Sequence, residues 1–307
     1  MDFSLLIKDL CWHSLIFFLV TALGYLFVSG GLYGLFFLRR SARPTPVATQ
    51  RLKEKLSLSG LWLAVHHDVL LSLASSAIFA ICASMMTTVY TLGYTRLYLD
   101  PFAYGWWYIG FSLCLVLFLQ DTYFYFTHRL AHHPKCYRWM HKGHHYANNP
   151  TPLTAFCFDP VEALIQALYL MGAVCIIPMH LGVLCAVVLV MTLGALIHHF
   201  SLRMFADSAF GRWLGSWMIG PMHHWFHHRK YNVHYGLYFT FWDRLLGTHC
   251  YDYKDILSPQ ADGKADEKAD GKVEKASLSI APSPSPSPSP SSQPKTVAFP
   301  TPFKKAS

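Results

Sequence analysis

Charge is scarce in this 307-residue chain: Asp, Glu, Lys and Arg together make up 14% of it, against 53% hydrophobic residues. The scarcity is uneven, and the stretches 10–38, 69–95, 101–120 and 163–202 contain none of the four. A soluble chain of this size needs more polar surface than that. About 20 apolar residues cross a hydrocarbon core of roughly 30 Å as one helix. The first three stretches therefore predict one span each. The fourth is about twice the needed length and is interrupted by Pro178, Met179 and His180, which predicts a helical hairpin. The expected fold is an all-α integral membrane protein of about three transmembrane helices plus this hairpin, with a cytosolic His-rich helical cap.

Other absences narrow the chemistry. The eight cysteines show no C-x-x-C and no paired spacing, so neither a disulfide framework nor a Cys-type zinc site is supported. No Glu-x-x-His pair occurs, which sets the chain apart from the carboxylate di-iron bundles. The net charge is +8, but no basic stripe is interleaved with exposed aromatics, so nucleic-acid binding is not expected. The first apolar run is too long for a signal-peptide core and reads as a retained anchor.

Positive charge marks the cytosolic side. Arg39, Arg40, Arg43, Arg51, Lys53 and Lys55 crowd the loop after the first span, whereas Arg96 after the second is balanced by Asp100. Counting spans from there places segments 128–160 and 201–257 on the cytosolic face. Three regions follow: a transmembrane region with a basic cytosolic loop (1–103), a catalytic region (104–257) and a low-complexity tail (258–307). The tail repeats A-D-G-K-like units and alternates Ser with Pro, so it is expected to be disordered. Its end carries Lys304 and Lys305, third and fourth from the C-terminus, like a dilysine signal for retrieval to the endoplasmic reticulum.

What the chain has in abundance is histidine, 18 residues of it. Three boxes stand out: His128 and His132; His141, His144 and His145; His224, His227 and His228. Residues three and four apart share a helix face, so each H-x-x-H-H box is expected to aim its imidazoles at one point. One zinc ion takes four ligands; eight imidazoles supply two metals. His198 or His199, ending the hairpin, is expected to add a ninth, His198 by preference. His133 and His223 adjoin ligand positions but point roughly 100° away. Metal-bound His usually donates its other N–H to a carboxylate or carbonyl. Asp121, seven residues before His128, is the expected acceptor for a ligand His, with Glu162 and Asp243 as further candidates. An aromatic set, Trp106, Trp107, Tyr108 and Tyr123 to Phe126, is expected to line a lipid route.

The run from Asp121 to His132, the second box, and the third box followed by Asn232-Val-His-Tyr-Gly236 and Trp242-Asp243-Arg-Leu-Leu-Gly-Thr248 resemble the sterol desaturase/fatty acid hydroxylase superfamily. Asn149-Pro-Thr-Pro-Leu-Thr-Ala-Phe156 is most similar to sterol C-5 desaturases. The similarity covers roughly residues 104–250. It implies a membrane oxidoreductase with two iron ions and O2 as co-substrate, a lipid substrate such as a sterol, and cytochrome b5 with its NAD(P)H reductase as electron donor. It also implies that Asp159 and Asn232 support the ligand histidines from behind. In the C-5 desaturases a His usually stands where this chain has Asp159, and in the hydroxylase branch a His often stands where this chain has Gly194. Desaturation at C-5 of a sterol and hydroxylation of another lipid (a sphingoid base, fatty acyl chain, methyl sterol or carotenoid) both stay open. A His-rich metal-binding or electron-transfer protein is the reading from another class.

Overall fold

The computed structural model describes residues 3–38, 58–147, 150–199 and 209–250. The basic loop, Asn149 and the low-complexity tail with its dilysine pair lie outside the described residues.

The charge-free runs form the long helices. Helix α1 (Phe3–Tyr33) continues through a wider turn at Gly34–Leu38, and α2 (Leu58–Thr91) runs back beside it. A short strand β1 (Leu97–Tyr98) precedes α3 (Trp106–Ala131). The predicted hairpin is α5 (Pro160–Ile176) and α6 (Leu181–His198), after the four-residue helix α4 (Tyr137–Met140). Its two arms are joined by β2 (Met179–His180), where Pro178 denies the helix an N–H. β2 pairs in parallel with β1, Leu97 opposite Met179 and Tyr98 opposite His180, which ties the hairpin tip to the α2–α3 connection. Three short helices complete the cap: α7 (Ala209–Gly215), α8 (Pro221–Lys230) and α9 (Phe241–Leu245). Among the described residues, α1, α2, α3 and α6 are long and apolar enough to cross a membrane, and α5 is a shorter apolar helix. The all-α membrane architecture expected from the sequence is the one observed.

Small residues let these helices approach closely. Ser72, Ser75, Ser76, Ala80 and Ser84 of α2 are buried. Ser84 Oγ donates to the Leu10 carbonyl of α1 at 2.8 Å, and Ser75 Oγ donates to the Phe158 carbonyl at 2.8 Å. Asp68, buried in α2, accepts from Thr154 Oγ1 at 2.7 Å. Thus α2 grips the segment 151–158, a short 3₁₀ turn (Pro152–Phe156) that leads from the second histidine box to α5. A second core of Val116, Val174, Met179, Val183 and Val187 locks α3 to the hairpin at the opposite end.

Candidate metal centre

α3 and α6 end in histidines, and the cap helices bring the remaining boxes to the same place. Two groups result. His128, His132, His141, His145 and His227 form one; His144, His199, His224 and His228 form the other, and within each group the ligand atoms lie within 4.8 Å of one another. The boxes do not stay whole. In the second box His141 and His145 join the first group while His144 joins the second; in the third box His224 and His228 join the second while His227 joins the first. The expectation that H-x-x-H-H converges on one point is therefore corrected. Positions i and i+4 share a group and i+3 serves the other, because successive residues diverge by about 100° on a helix. The second box makes the same division on α4 and a 3₁₀ turn at His144–Tyr146, without a continuous α-helix.

The outer nitrogens fix the inner ones. Nδ1 of His128 faces the Tyr235 carbonyl at 3.0 Å, that of His144 the Cys157 carbonyl at 2.8 Å, that of His227 the Val233 carbonyl at 2.8 Å, and that of His199 the Ala195 carbonyl at 2.7 Å. A carbonyl oxygen only accepts, so each of these Nδ1 atoms carries the proton and, in the neutral ring, leaves Nε2 as a bare lone pair. His141 Nδ1 donates to Glu162 Oε2 at 2.7 Å, with the same consequence when that carboxylate is ionised.

The Nε2 atoms then meet each other. His128 and His141 are 3.0 Å apart, both bare when Glu162 is ionised. In the second group three contacts run in a row, His144 to His228 at 3.1 Å, His228 to His224 at 3.0 Å and His224 to His199 at 3.0 Å. The two ends are bare, so the middle pair offers at most two protons for three contacts. At least one contact in the second group therefore holds no hydrogen bond, being either lone pair against lone pair or N–H against N–H, and a cation shared by the lone pairs would relieve it. The rings do not escape by protonating. Burial and the surrounding imidazoles push His141, His145, His199, His224, His227 and His228 well below the usual histidine range, and His132 down to about 2. Neutral imidazoles without thiolate suit iron, zinc, copper or nickel, so the donor set fits two metal ions.

Several sequence-predicted residues act at one remove. Asp121 does not bond a ligand histidine. Seven residues along a helix is about 10 Å, beyond side-chain reach of His128, and its Oδ1 instead accepts the backbone N–H groups of Leu237, Tyr238 and Phe239 at 3.0, 2.7 and 3.2 Å. Asp243 accepts from Tyr235 N, Gly236 N and Thr248 Oγ1 at 2.8, 2.9 and 2.7 Å. Between them these two buried carboxylates hold the loop whose Tyr235 carbonyl orients His128. Asp159 Oδ2 accepts from the Gly143 and His144 backbone N–H groups at 2.7 and 3.4 Å, bracing the second box through its main chain. Gly143 is required there, since a Cβ would stand 2.6 Å from Asp159 Oδ1 and 2.8 Å from Leu71. Glu162 is the carboxylate that meets a histidine of the groups directly, through His141 Nδ1.

Two expectations are displaced. His198 Nε2 donates to the Ile219 carbonyl at 3.2 Å, and His199 enters the second group in its place. The helix ends at His198, and His199 as the capping residue folds its ring back onto the Ala195 carbonyl. Asn232 is exposed in the turn that follows the left-handed Tyr231, and the neighbouring Val233 carbonyl meets His227 instead. A further trio, His223, His234 and His249, gathers on another face of α8. His223 Nδ1 accepts from the Gly220 N–H at 3.1 Å, so that lone pair is already engaged. No spacing in the sequence marks this trio.

Beside the two groups lies an apolar chamber of about 440 Å³ between α1, α2, α5 and α6. Phe124 and Phe158 are shared walls: Phe124 lies 4.9 Å from the His128 ring centroid, and Phe158 stacks on His144 at 5.8 Å. Of the expected aromatic route only Phe124 lines it; Trp106 and Trp107 are exposed at the far end of α3.

Residues 113–248 match the family model described as fatty acid hydroxylase. The chain is 35% identical over 181 residues to a Delta(7)-sterol 5(6)-desaturase of Gibberella zeae, covering 57% of this chain and 54% of that protein. It is 31% identical over 158 residues to human lathosterol oxidase, covering 51% of each, and 31% identical over 153 residues to rat methylsterol monooxygenase 1, covering 48% of this chain and 51% of that one. The chain thus spans about half the length of the curated relatives it matches. No solved structure matches it. All nine imidazoles of the two groups fall inside the matched span, and over it the chain is similar to fatty acid hydroxylases and to sterol desaturases.

Proposed function

We propose that this chain is a membrane-bound, O2-dependent lipid oxidoreductase holding two iron ions, and that it introduces the C-5 double bond of a sterol. One observation carries the reading: two groups of largely buried, neutral imidazoles, their Nε2 atoms meeting at 3.0–3.1 Å, share walls with an apolar chamber. Five histidines would hold one ion and four the other. Bound there, the irons would supply O2 activation and removal of hydrogen from an unactivated C–H bond.

The chain's own part is placement and exclusion. The Tyr235, Val233, Cys157 and Ala195 carbonyls and the Glu162 carboxylate fix the ring orientations, which is how outer partners tune a metal centre. Phe124 and Phe158 close the imidazoles off from the chamber's length, so that an apolar substrate meets a site with little water. Electrons would come from cytochrome b5 and its NAD(P)H reductase on the cytosolic face of the endoplasmic reticulum, the side assigned by the basic loop.

The second reading, hydroxylation of a methyl sterol or another lipid, draws on the similarity to methylsterol monooxygenase 1 and on Asp159, where the C-5 desaturases usually carry His. Expression in a yeast lacking sterol C-5 desaturase separates the two. The C-5 reading expects 5,7-diene sterols to return. Their absence from cells that make the iron-loaded chain, with a hydroxylated sterol in their place, overturns it in favour of the second.

A further inference from the structure

The chamber wall is hydrocarbon apart from a few side chains, and most of those are already satisfied. Thr21 Oγ1 donates to the Phe17 carbonyl at 2.8 Å, Thr192 Oγ1 to the Val188 carbonyl at 2.9 Å, and Tyr25 OH to the Leu153 carbonyl at 2.9 Å. Gln166 is the exception that matters. It is 5% exposed, lines the chamber, and makes no hydrogen bond among the described residues. A side-chain amide offers two donors and an acceptor, and buried amides are almost always paired. Gln166 follows Glu162 by four residues, so the two share a face of α5 one turn apart. Glu162 holds the His141 ring at 2.7 Å. The unpaired amide therefore stands about one helical turn deeper into the membrane than the carboxylate that orients a ligand of the first group. Beyond it, Leu170 and Met171 continue the same wall without a polar atom in their side chains.

We infer that Gln166 receives the hydroxyl of the lipid substrate, which enters hydroxyl first and is oxidised within a few bonds of that group. The inference rests on the lipid-oxidoreductase reading above and narrows it to a class. A 3-hydroxysterol fits, because C-5 lies two bonds from the hydroxyl-bearing carbon and the apolar remainder extends along Leu170 and Met171. A fatty acyl chain oxidised in mid-chain does not fit, because its head group would lie far from the amide. Pairing at a buried polar group discriminates strongly, because the analogue lacking the hydroxyl leaves the amide unsatisfied.

The test is equilibrium binding, read apart from turnover. The full-length metal-loaded chain in nanodiscs is titrated with a 3β-hydroxy Δ7-sterol and with its 3-deoxy analogue. Wild type is expected to bind the hydroxysterol at least tenfold more tightly. Gln166→Leu brings the ratio to about one while two metals per chain are retained, and Ser29→Ala, which changes the other unpaired polar group of the chamber, leaves it unchanged. Should Gln166→Leu lose its metals, Gln166→Met, closer in shape, replaces it. Equal binding of the two sterols by wild type, binding of neither, a preference that survives in the Gln166 variant, or one abolished by Ser29→Ala overturns the inference. A chain that shows the preference yet makes no 5,7-diene sterol retains the inference and loses the C-5 assignment.

Discussion

His141 and His145 stand four residues apart and share a group, while His144 between them turns to the other. The same division recurs in the third box, so the H-x-x-H-H spacing straddles two centres. Ligand roles follow that can be separated by substitution. His199→Ala is expected to leave one metal per chain and no oxidation product, whereas His198→Ala, which removes only a bond to the Ile219 carbonyl, keeps two. Metal analysis of the purified variants decides; two metals in His199→Ala or one in His198→Ala contradicts the assignment. Glu162→Gln keeps the shape but withdraws the negative charge behind His141, and should weaken metal retention against a chelator by roughly 10–100-fold. An unchanged chelation curve would show that the carboxylate does not tune the site. At this scale the sequence was half legible. Eight of the nine imidazoles that the structure gathers stand in the three boxes, but the choice between His198 and His199 depended on where α6 ends, and helix ends are set by capping that spacing does not reveal.

Among the elements, the least legible is the loop 231–250, which has little regular structure and yet supplies the carbonyls of Val233 and Tyr235. Its shape is set from outside by Asp121, which accepts three of its backbone N–H groups, and from inside by Asp243. Asp121 looked like a direct histidine partner because it lies on the helix face of His128. Its real partners are more than 110 residues away in sequence and present only main-chain groups, which leave no mark on side-chain pattern. Asp121→Ala strands three donors, one buried and two partly buried, and an unsatisfied buried group costs about 1–3 kcal/mol. A loss of roughly 3–5 kcal/mol is expected, read as a fall in the thermal midpoint of the chain in detergent. A midpoint within 1–2 °C of wild type would mean that the carboxylate does not hold the loop. Gly143→Ala belongs to the same scale: overpacking against Asp159 and Leu71 is expected to cost about 1–3 kcal/mol. The long helices, by contrast, were legible from charge alone, because a bilayer leaves few alternatives for a run without Asp, Glu, Lys or Arg.

Across the whole molecule, helices built for apolar surroundings end in a polar, histidine-lined layer, and the chamber connects the two. The chamber could not be read from the sequence, since it is the space left between α1, α2, α5 and α6, and Gln166 is an unremarkable polar residue until its amide is seen to lack a partner. Metal ions held between these crowded imidazoles would be part of the fold as well as of the chemistry, so their removal should lower thermal stability in proportion to affinity. The direct test of the account is the metal content of the purified, folded chain expressed with ample iron, together with its visible spectrum. The account predicts two irons per chain and no haem Soret band. One metal or none in a chain whose fold is intact, or a stoichiometric haem, contradicts it.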